Sequence, residues 1–405
     1  MRRLPFYYGY LIAAACFSIQ AIGIGTYVSF GIFFKYLIAE FGWSRALLSG
    51  AHSLTLFVTG SLGIFVGRLN DRYGPRIVMA VTGFLFGLGL MLMSMLREAW
   101  HLYLFYGLIV GMGMSSVDVI ALSTTARWFV RKRGLMTGIV KVGTGTGQLL
   151  VPIIASMLIV TYGWRKSYIV MGLAGMFLLM GVGQLLRRDP VLMGVLPDGD
   201  TKAEARGILS EEMGMGLKET VRTRSFWTIC LTNLVVVSSL MVVMLHIVPH
   251  ATDMGVPVMV AAGILSTIGG VSMVGRFVTG ISIDFLGNRR SMIICFLLLI
   301  SALLWLQVAR ELWMLYLFAA AYGLAHGGFF TVISPIVAEY FGVKSHGVLF
   351  GIAVFSGTIG GALGPILAGH IFDVTKSYSL AFWIITALAA IGLGLILSLG
   401  KPARP

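Results

Sequence analysis

Charge is what this sequence has least of. Asp, Glu, Lys and Arg together supply 11% of its 405 residues, against about 25% in soluble domains. With 58% hydrophobic residues and a mean hydropathy of +0.92, that shortage excludes an ordinary soluble domain and points to a lipid bilayer. Cysteine is also scarce. Cys16, Cys230 and Cys295 all lie in apolar runs, so the three argue against a disulfide framework and read as small apolar side chains. Polar and Ser-rich tracts are missing, so the 52 glycines and 22 methionines fit close helix packing in lipid rather than disorder. Reactive constellations are missing too. There is no H-E-x-x-H, G-x-S-x-G or C-x-x-C, and no phosphate-binding G-x-x-x-x-G-K-[ST]. Neither an enzyme, a metal site nor a cofactor is expected.

What is present is a succession of apolar runs long enough to cross a hydrocarbon core of about 30 Å. They fall near 7–34, 46–67, 77–96, 101–126, 134–161 and 166–186, then near 226–249, 257–282, 291–309, 312–338, 347–372 and 378–399. The first follows Arg2 and Arg3 but is too long for a signal peptide and lacks a cleavage pattern, so it reads as a retained span. The expected fold is an all-α membrane protein of twelve transmembrane helices in two six-helix halves, 1–186 and 225–405. The charged stretch 187–224, with "RDPVLMGVLPDGD", forms a cytoplasmic linker. Placing both termini in the cytoplasm puts 21 of the 30 Lys and Arg residues there, seven outside and two, Lys141 and Arg276, inside spans. That bias sets the orientation and accounts for the net charge of +14 without nucleic acid.

The halves repeat at an offset of 213 residues. Gly67 matches Gly280, Asp71 matches Asp284, "YLF" at 103–105 matches "YLF" at 316–318, and Pro152 matches Pro365. Six spans preserve orientation, so the repeats are parallel, related about the membrane normal. Small-xxx-small spacing within 143–147 and 357–364 permits close helix approach.

"GRLNDRYGPR" at 67–76 recurs as "GISIDFLGNRR" at 280–290. Gly67, Gly74, Gly280 and Gly287 allow tight approach and turns, while Asp71, Arg72 and Asp284 are placed to cap and pair at helix ends. This resembles the loop motif of the major facilitator superfamily, whose members bind a solute between two rocking halves. The motif then implies a cytoplasmic gate at these residues. "RWFVRKRGLMTGIVKVG" at 127–143 resembles the fifth-helix signature of monocarboxylate transporters. "GHIFDVTKSYSLAFW" and the linker's "PDG" resemble the bacterial monocarboxylate and oxalate/formate-type branch. In that group an eighth-helix arginine holds the substrate carboxylate, and Arg276 occupies its position. Three departures stand out. Ser272 replaces an aspartate four residues earlier, Val28 replaces a first-helix lysine, and no lysine lies near 356–361.

Positions where a duplicated fold differs between its halves are informative. Arg276 pairs with Gly63, Asp118 with Thr331 and Lys141 with Val354, so the fold requires none of the three charges. Each lies eight or nine residues from charges at the same face, roughly 12–14 Å deep at helical rise. Arg276 either snorkels to the interface or captures a carboxylate through its planar guanidinium. Asp118 and Lys141 form either a packing ion pair or a coupling site in which a competing anion frees Asp118 for a proton. His326 in the tenth span is either a proton carrier or a packing hydrogen bonder. Tyr27 and Ser272 join Arg276 and Lys141 as expected substrate contacts. His246, His250 and Asp253, spaced i, i+4, i+7, fit an external gate or solvated helix end better than a metal face.

The expected function is carriage of a small monocarboxylate such as lactate or pyruvate, with a proton, by a monomer in the cytoplasmic (inner) membrane. Formate- or oxalate-type anion exchange is the alternative. A membrane receptor for organic acids is a further one, and the short tail after the last span weighs against it.

Overall fold

The structure, a computed structural model, describes residues 7–199 and 214–400. Residues 200–213 of the expected linker, and the basic residues counted within 1–6, 200–213 and 401–405, lie outside the described residues. Among the described residues every regular element is helical.

Among the described residues, eleven helices are long and apolar enough to cross a membrane. In chain order these give α1 (Tyr8–Phe41), α2 (Arg45–Tyr73), α3 (Pro75–Leu92) and α4 (Ala99–Trp128), then a 53-residue run, Arg133–Leu185. At 1.5 Å per residue that run far exceeds a bilayer. Gly163 breaks it with φ 77° and ψ 161°, dividing it into α5 (133–162) and α6 (164–185) and bringing the spans among the described residues to twelve. The second half follows with α7 (Arg224–Asp253), α8 (Val258–Leu286), α9 (Asn288–Val308), α10 (Leu312–Phe341), α11 (His346–Thr375) and α12 (Ser379–Ser398). Large apolar side chains such as Val160, Phe65 and Ile366 stay exposed on outer helix faces, a surface suited to lipid rather than water.

The offset of 213 extends to contacts. Tyr103 Oη donates to Leu47 O at 3.1 Å, and Tyr316 Oη to Val260 O at 3.3 Å. Trp100 Nε1 donates to Glu98 Oε2 at 2.8 Å, and Trp313 Nε1 to Glu311 Oε2 at 2.6 Å. Left-handed turn residues recur as well: Gly74 and Gly287 both at φ 85°, Gly163 at φ 77° and its mate Lys376 at φ 55°.

One element breaks the symmetry. Tyr103–Val110 in α4 winds as a π-helix, whereas α10 is α-helical throughout. Two hydroxyls of α2 reach the main chain here. Thr55 Oγ1 donates to Tyr106 O at 3.0 Å and Thr59 Oγ1 to Gly111 O at 3.2 Å. The residue matching Thr55 in the second half is Ile268, which has no hydroxyl to give.

The chain forms two compact units. Unit 1 holds the described residues of Met1–Arg131, Ile139–Gly214 and Val343–Gly351; unit 2 holds those of Lys132–Gly138, Met215–Gly342 and Ile352–Pro405. Unit 1 thus includes the first turn of α11, and unit 2 the first turn of α5.

Candidate functional site

In unit 1, α1, α4 and α5 bring four polar side chains together. Lys141 Nζ donates to Asp118 Oδ1 at 2.5 Å. Gln20 Nε2 donates to the same oxygen at 2.8 Å and to Val117 O at 3.2 Å. Thr144 Oγ1 donates to Gln20 Oε1 at 2.7 Å. Gln20 and Thr144 therefore extend the pair expected from sequence into a chain of four. Exposure is uneven: the Lys141 side chain is 6% exposed and that of Asp118 33%. The carboxylate is the accessible member.

Gly143 and Gly147 make this meeting possible. A methyl at either would collide with the α1 backbone at Phe17 or Ala21, so α5 runs against α1 without side chains between them. One turn beyond Gly23, Tyr27 stacks on the His52 imidazole at 4.2 Å between ring centroids, and Phe30 covers the same imidazole at 5.7 Å. Tyr27 therefore sits in an aromatic stack rather than in the Gln20–Asp118–Lys141–Thr144 chain.

In unit 2, Arg276 and Ser272 of α8 and His326 of α10 are all buried. Gly327 explains their proximity: a Cβ there would meet Ser272 O and, at 2.8 Å, Arg276 N, so α10 passes α8 backbone to backbone beside His326. From the other side, a Cβ on Gly138 would lie 2.6 Å from Arg276 O. Thr331 Oγ1 also donates to Arg276 O at 3.5 Å. The Arg276 main chain is thus clamped, which fixes where its side chain begins. The corresponding contact in the first half, Gly351 on Gly63 O at 2.8 Å, has the same close approach without an arginine. Ser272 Oγ donates to Gly269 O at 2.8 Å. His326 packs edge-to-face with Phe330 at 5.1 Å, and its Nδ1 is buried without a hydrogen-bond partner. Of the two residues expected to handle protons, Asp118 belongs to unit 1 and His326 to unit 2.

The loop motifs form two matching caps. Asp71 accepts from Gly347 N at 3.2 Å and Val348 N at 3.1 Å. Asp284 accepts from Gly134 N at 2.7 Å and Leu135 N at 2.9 Å. Each carboxylate closes the N-terminus of α11 or α5, where the helix dipole and first-turn N–H groups favour negative charge. The glycines set the distance, since a Cβ on Gly280 would stand 2.7 Å from Gly134 O, and one on Gly347 2.7 Å from Gly67 O. The arginine that pairs with Asp71 is Arg127, at 2.8 Å; it also holds Asp189 at 3.0 Å. Arg72 instead lies over the Tyr73 ring at 5.2 Å. Arg127 and Asp189 had no signal in the loop motif itself, because they come from the end of α4 and from the segment after α6.

At the opposite end of unit 2, His246 places Nε2 3.1 Å from Pro365 O and Nδ1 3.3 Å from Tyr378 Oη, tying α7 to α11. Among the described residues no three His, Cys, Asp or Glu side chains group as metal ligands.

Comparison with known proteins places this geometry. The model of the Major Facilitator Superfamily matches residues 10–284 and 272–405. Monocarboxylate transporter 11 of Homo sapiens is 30% identical over 395 residues, covering 95% of this chain and 81% of that protein. Monocarboxylate transporter 13 of Bos taurus is 28% identical over 400 residues, covering 97% and 89%. Among solved structures, the proton:xylose symporter XylE is similar with a TM-score of 0.75 at 15% identity, covering 97% of this chain and 96% of that one. The human organic anion transporter MFSD10 is similar with a TM-score of 0.74 at 14% identity, covering 97% and 100%. Those structural likenesses show the fold, and the family match and sequence relatives show the rest: this chain is a multi-pass membrane transporter, not an enzyme, and belongs to the major facilitator superfamily among the monocarboxylate transporters.

Proposed function

We propose that the protein carries small monocarboxylates of the lactate or pyruvate kind together with a proton, by alternating access, in the cytoplasmic membrane with both termini inside. The observation that carries this reading is Arg276. It is an arginine 3% exposed, on a backbone held by Gly138 and Gly327, at a position where the duplicated half has Gly63 and the fold needs no charge. A planar guanidinium offers two parallel N–H donors to one carboxylate. In unit 1, Asp118 is the proton-handling group. A substrate anion that draws Lys141 away leaves the accessible carboxylate with less positive charge beside it, and so easier to protonate. His326 is the second candidate for the proton. Tyr27 and Ser272 contribute to the solute's surroundings, and the Asp71 and Asp284 caps latch the cytoplasmic end. Opening that end requires α11 and α5 to leave their carboxylates.

The test is uptake of labelled lactate into proteoliposomes under an inward proton gradient. Arg276→Ala is expected to abolish uptake. Arg276→Lys is expected to lose about tenfold or more, because a point charge replaces a fork worth roughly 1.5–3 kcal/mol. Unchanged uptake in either variant removes the anchor.

A second reading, anion exchange, is favoured by one observation. Lys141, Gln20 and Asp118 already satisfy one another, an arrangement that needs no proton. Exchange predicts stimulation by internal substrate and indifference to the pH gradient, and symport predicts the reverse.

A further inference from the structure

A cavity of about 350 Å³ opens at the loop-motif end of unit 2, beside the turn from α8 into α9. Asn288, Arg289, Arg290, Glu339, Tyr340 and Gly400 are among its walls. Part of this set is engaged in holding the fold. Arg289 donates from Nε to Ile396 O at 3.2 Å and from Nη2 to Leu397 O at 2.5 Å, closing the end of α12. Tyr340 Oη donates to Gly400 O at 2.8 Å. Asn288 Nδ2 donates to Glu339 Oε2 at 2.6 Å.

The remainder is unspent. Asn288 is 7% exposed, yet its Oδ1 has no hydrogen-bond partner. A buried acceptor left in that state costs about 1–3 kcal/mol. The first turn of α9 begins at Asn288 with no side-chain cap, so its N–H groups are open to an acceptor. Arg290 is exposed and adds a guanidinium beside them.

The repeat shows that the fold does not ask for this group. Gly74 and Gly287 make the same turn, φ 85° ψ 165° and φ 85° ψ 161°. After Gly74 come Pro75, Arg76 and Ile77, where the second half has Asn288, Arg289 and Arg290. The structural arginine is common to both: Arg76 Nε donates to Leu186 O at 2.9 Å, as Arg289 does to α12. Asn288 and Arg290 are not shared, and Glu339 matches Ala126. One half therefore turns this corner with apolar residues, and the other adds an amide, a guanidinium and a carboxylate around a cavity.

An uncapped helix start and a guanidinium select an anion with several acceptor oxygens, as a phosphate has. The orphan Asn288 Oδ1 and the Glu339 carboxylate need a donor, and a positive one suits both. We propose that this cavity binds a phosphate ester that carries a primary ammonium group. The phosphate sits on the first turn of α9 and Arg290, and the ammonium on Asn288 Oδ1 and Glu339. That chemistry belongs both to soluble aminoalkyl phosphates and to membrane lipid headgroups.

The test uses the full-length protein in two arms. In detergent, thermal shift and calorimetry follow titration with O-phosphoethanolamine, O-phosphocholine and inorganic phosphate. In nanodiscs, native mass spectrometry compares retention of phosphatidylethanolamine and phosphatidylcholine. Phosphoethanolamine is expected to bind saturably, with phosphocholine and phosphate about tenfold weaker or more, since neither brings N–H donors to Asn288 and Glu339. Saturation by the soluble compound identifies a soluble ligand. Selective retention of phosphatidylethanolamine without a soluble response identifies a lipid. Asn288→Pro with Arg290→Ile copies the first-half corner, so it should keep the unliganded melting temperature and lose the response. Arg290→Gln, which leaves the start of α9 intact, should lose it as well. No preference for phosphoethanolamine or phosphatidylethanolamine over its choline counterpart in either arm, or an undiminished response in either variant, overturns the proposal.

Discussion

Asp118 receives Lys141 and Gln20 on one oxygen atom, and the consequences of removing either charge differ from removing both. Lys141→Met removes the cation from a carboxylate that is one-third exposed and still accepts from Gln20, and water screens part of the loss. The expected cost is about 1–2 kcal/mol, below the figure for a fully buried pair. Asp118→Asn with Lys141→Met should recover most of that stability in thermal denaturation while losing response to a proton gradient. If the double variant still responds, the proton moves elsewhere, and His326 becomes the next residue to replace. At this scale the sequence exposes the charges and hides their neighbours. Arg276, Asp118 and Lys141 stand out because charge in an apolar run is expensive and their repeat mates are neutral. Gln20 is a neutral amide and escapes any census of charge. Its mate Asn233, which donates to Ala353 O at 2.7 Å, was the available clue. Arg72 adjoins Asp71 in sequence, but consecutive helical side chains diverge by about 100°. The pairing arginine thus comes from another helix.

Among the elements, α5 and α11 depend most on groups outside themselves. Each begins against glycines and a carboxylate from a helix distant in sequence. Asp284→Ala removes the acceptor from Gly134 and Leu135, a loss of about 1 kcal/mol typical of a helix cap. Amide exchange in the first turn of α5 should accelerate roughly fivefold, with α11 unaffected. Equal acceleration in both helices would mean that the caps act as one unit. The spans themselves were legible, because twenty apolar residues have few alternatives to a transmembrane helix. The π-helix in α4 was not. Thr55 reaches across to it from α2, and no pattern within residues 103–110 announces that contact. His246 shows the same limit. Its spacing with His250 and Asp253 suggests a shared face, while its contacts lead to Pro365 and Tyr378.

For the molecule as a whole, the offset of 213 is the feature most completely visible in sequence. It reappears as paired hydrogen bonds, paired caps and paired left-handed turns. What sequence does not show is that compactness and sequence order part company. The first turn of α5 packs in unit 2 and the first turn of α11 in unit 1, because Asp284 and Asp71 hold them there.

That exchange bears on whether either half is a protein in its own right. A chain cut between residues 199 and 214 yields two pieces of six spans each, and each piece contains a carboxylate without its helix start and a helix start without its carboxylate. Neither piece alone can complete its own capping. Expressed separately, the pieces should be degraded or aggregate. Expressed together, they should accumulate, co-purify and restore uptake without any covalent link. Abundant, monodisperse single pieces would show that the caps are dispensable to folding. The two repeats would then be independent domains that merely share a chain, whereas the capping pattern makes each the other's folding partner.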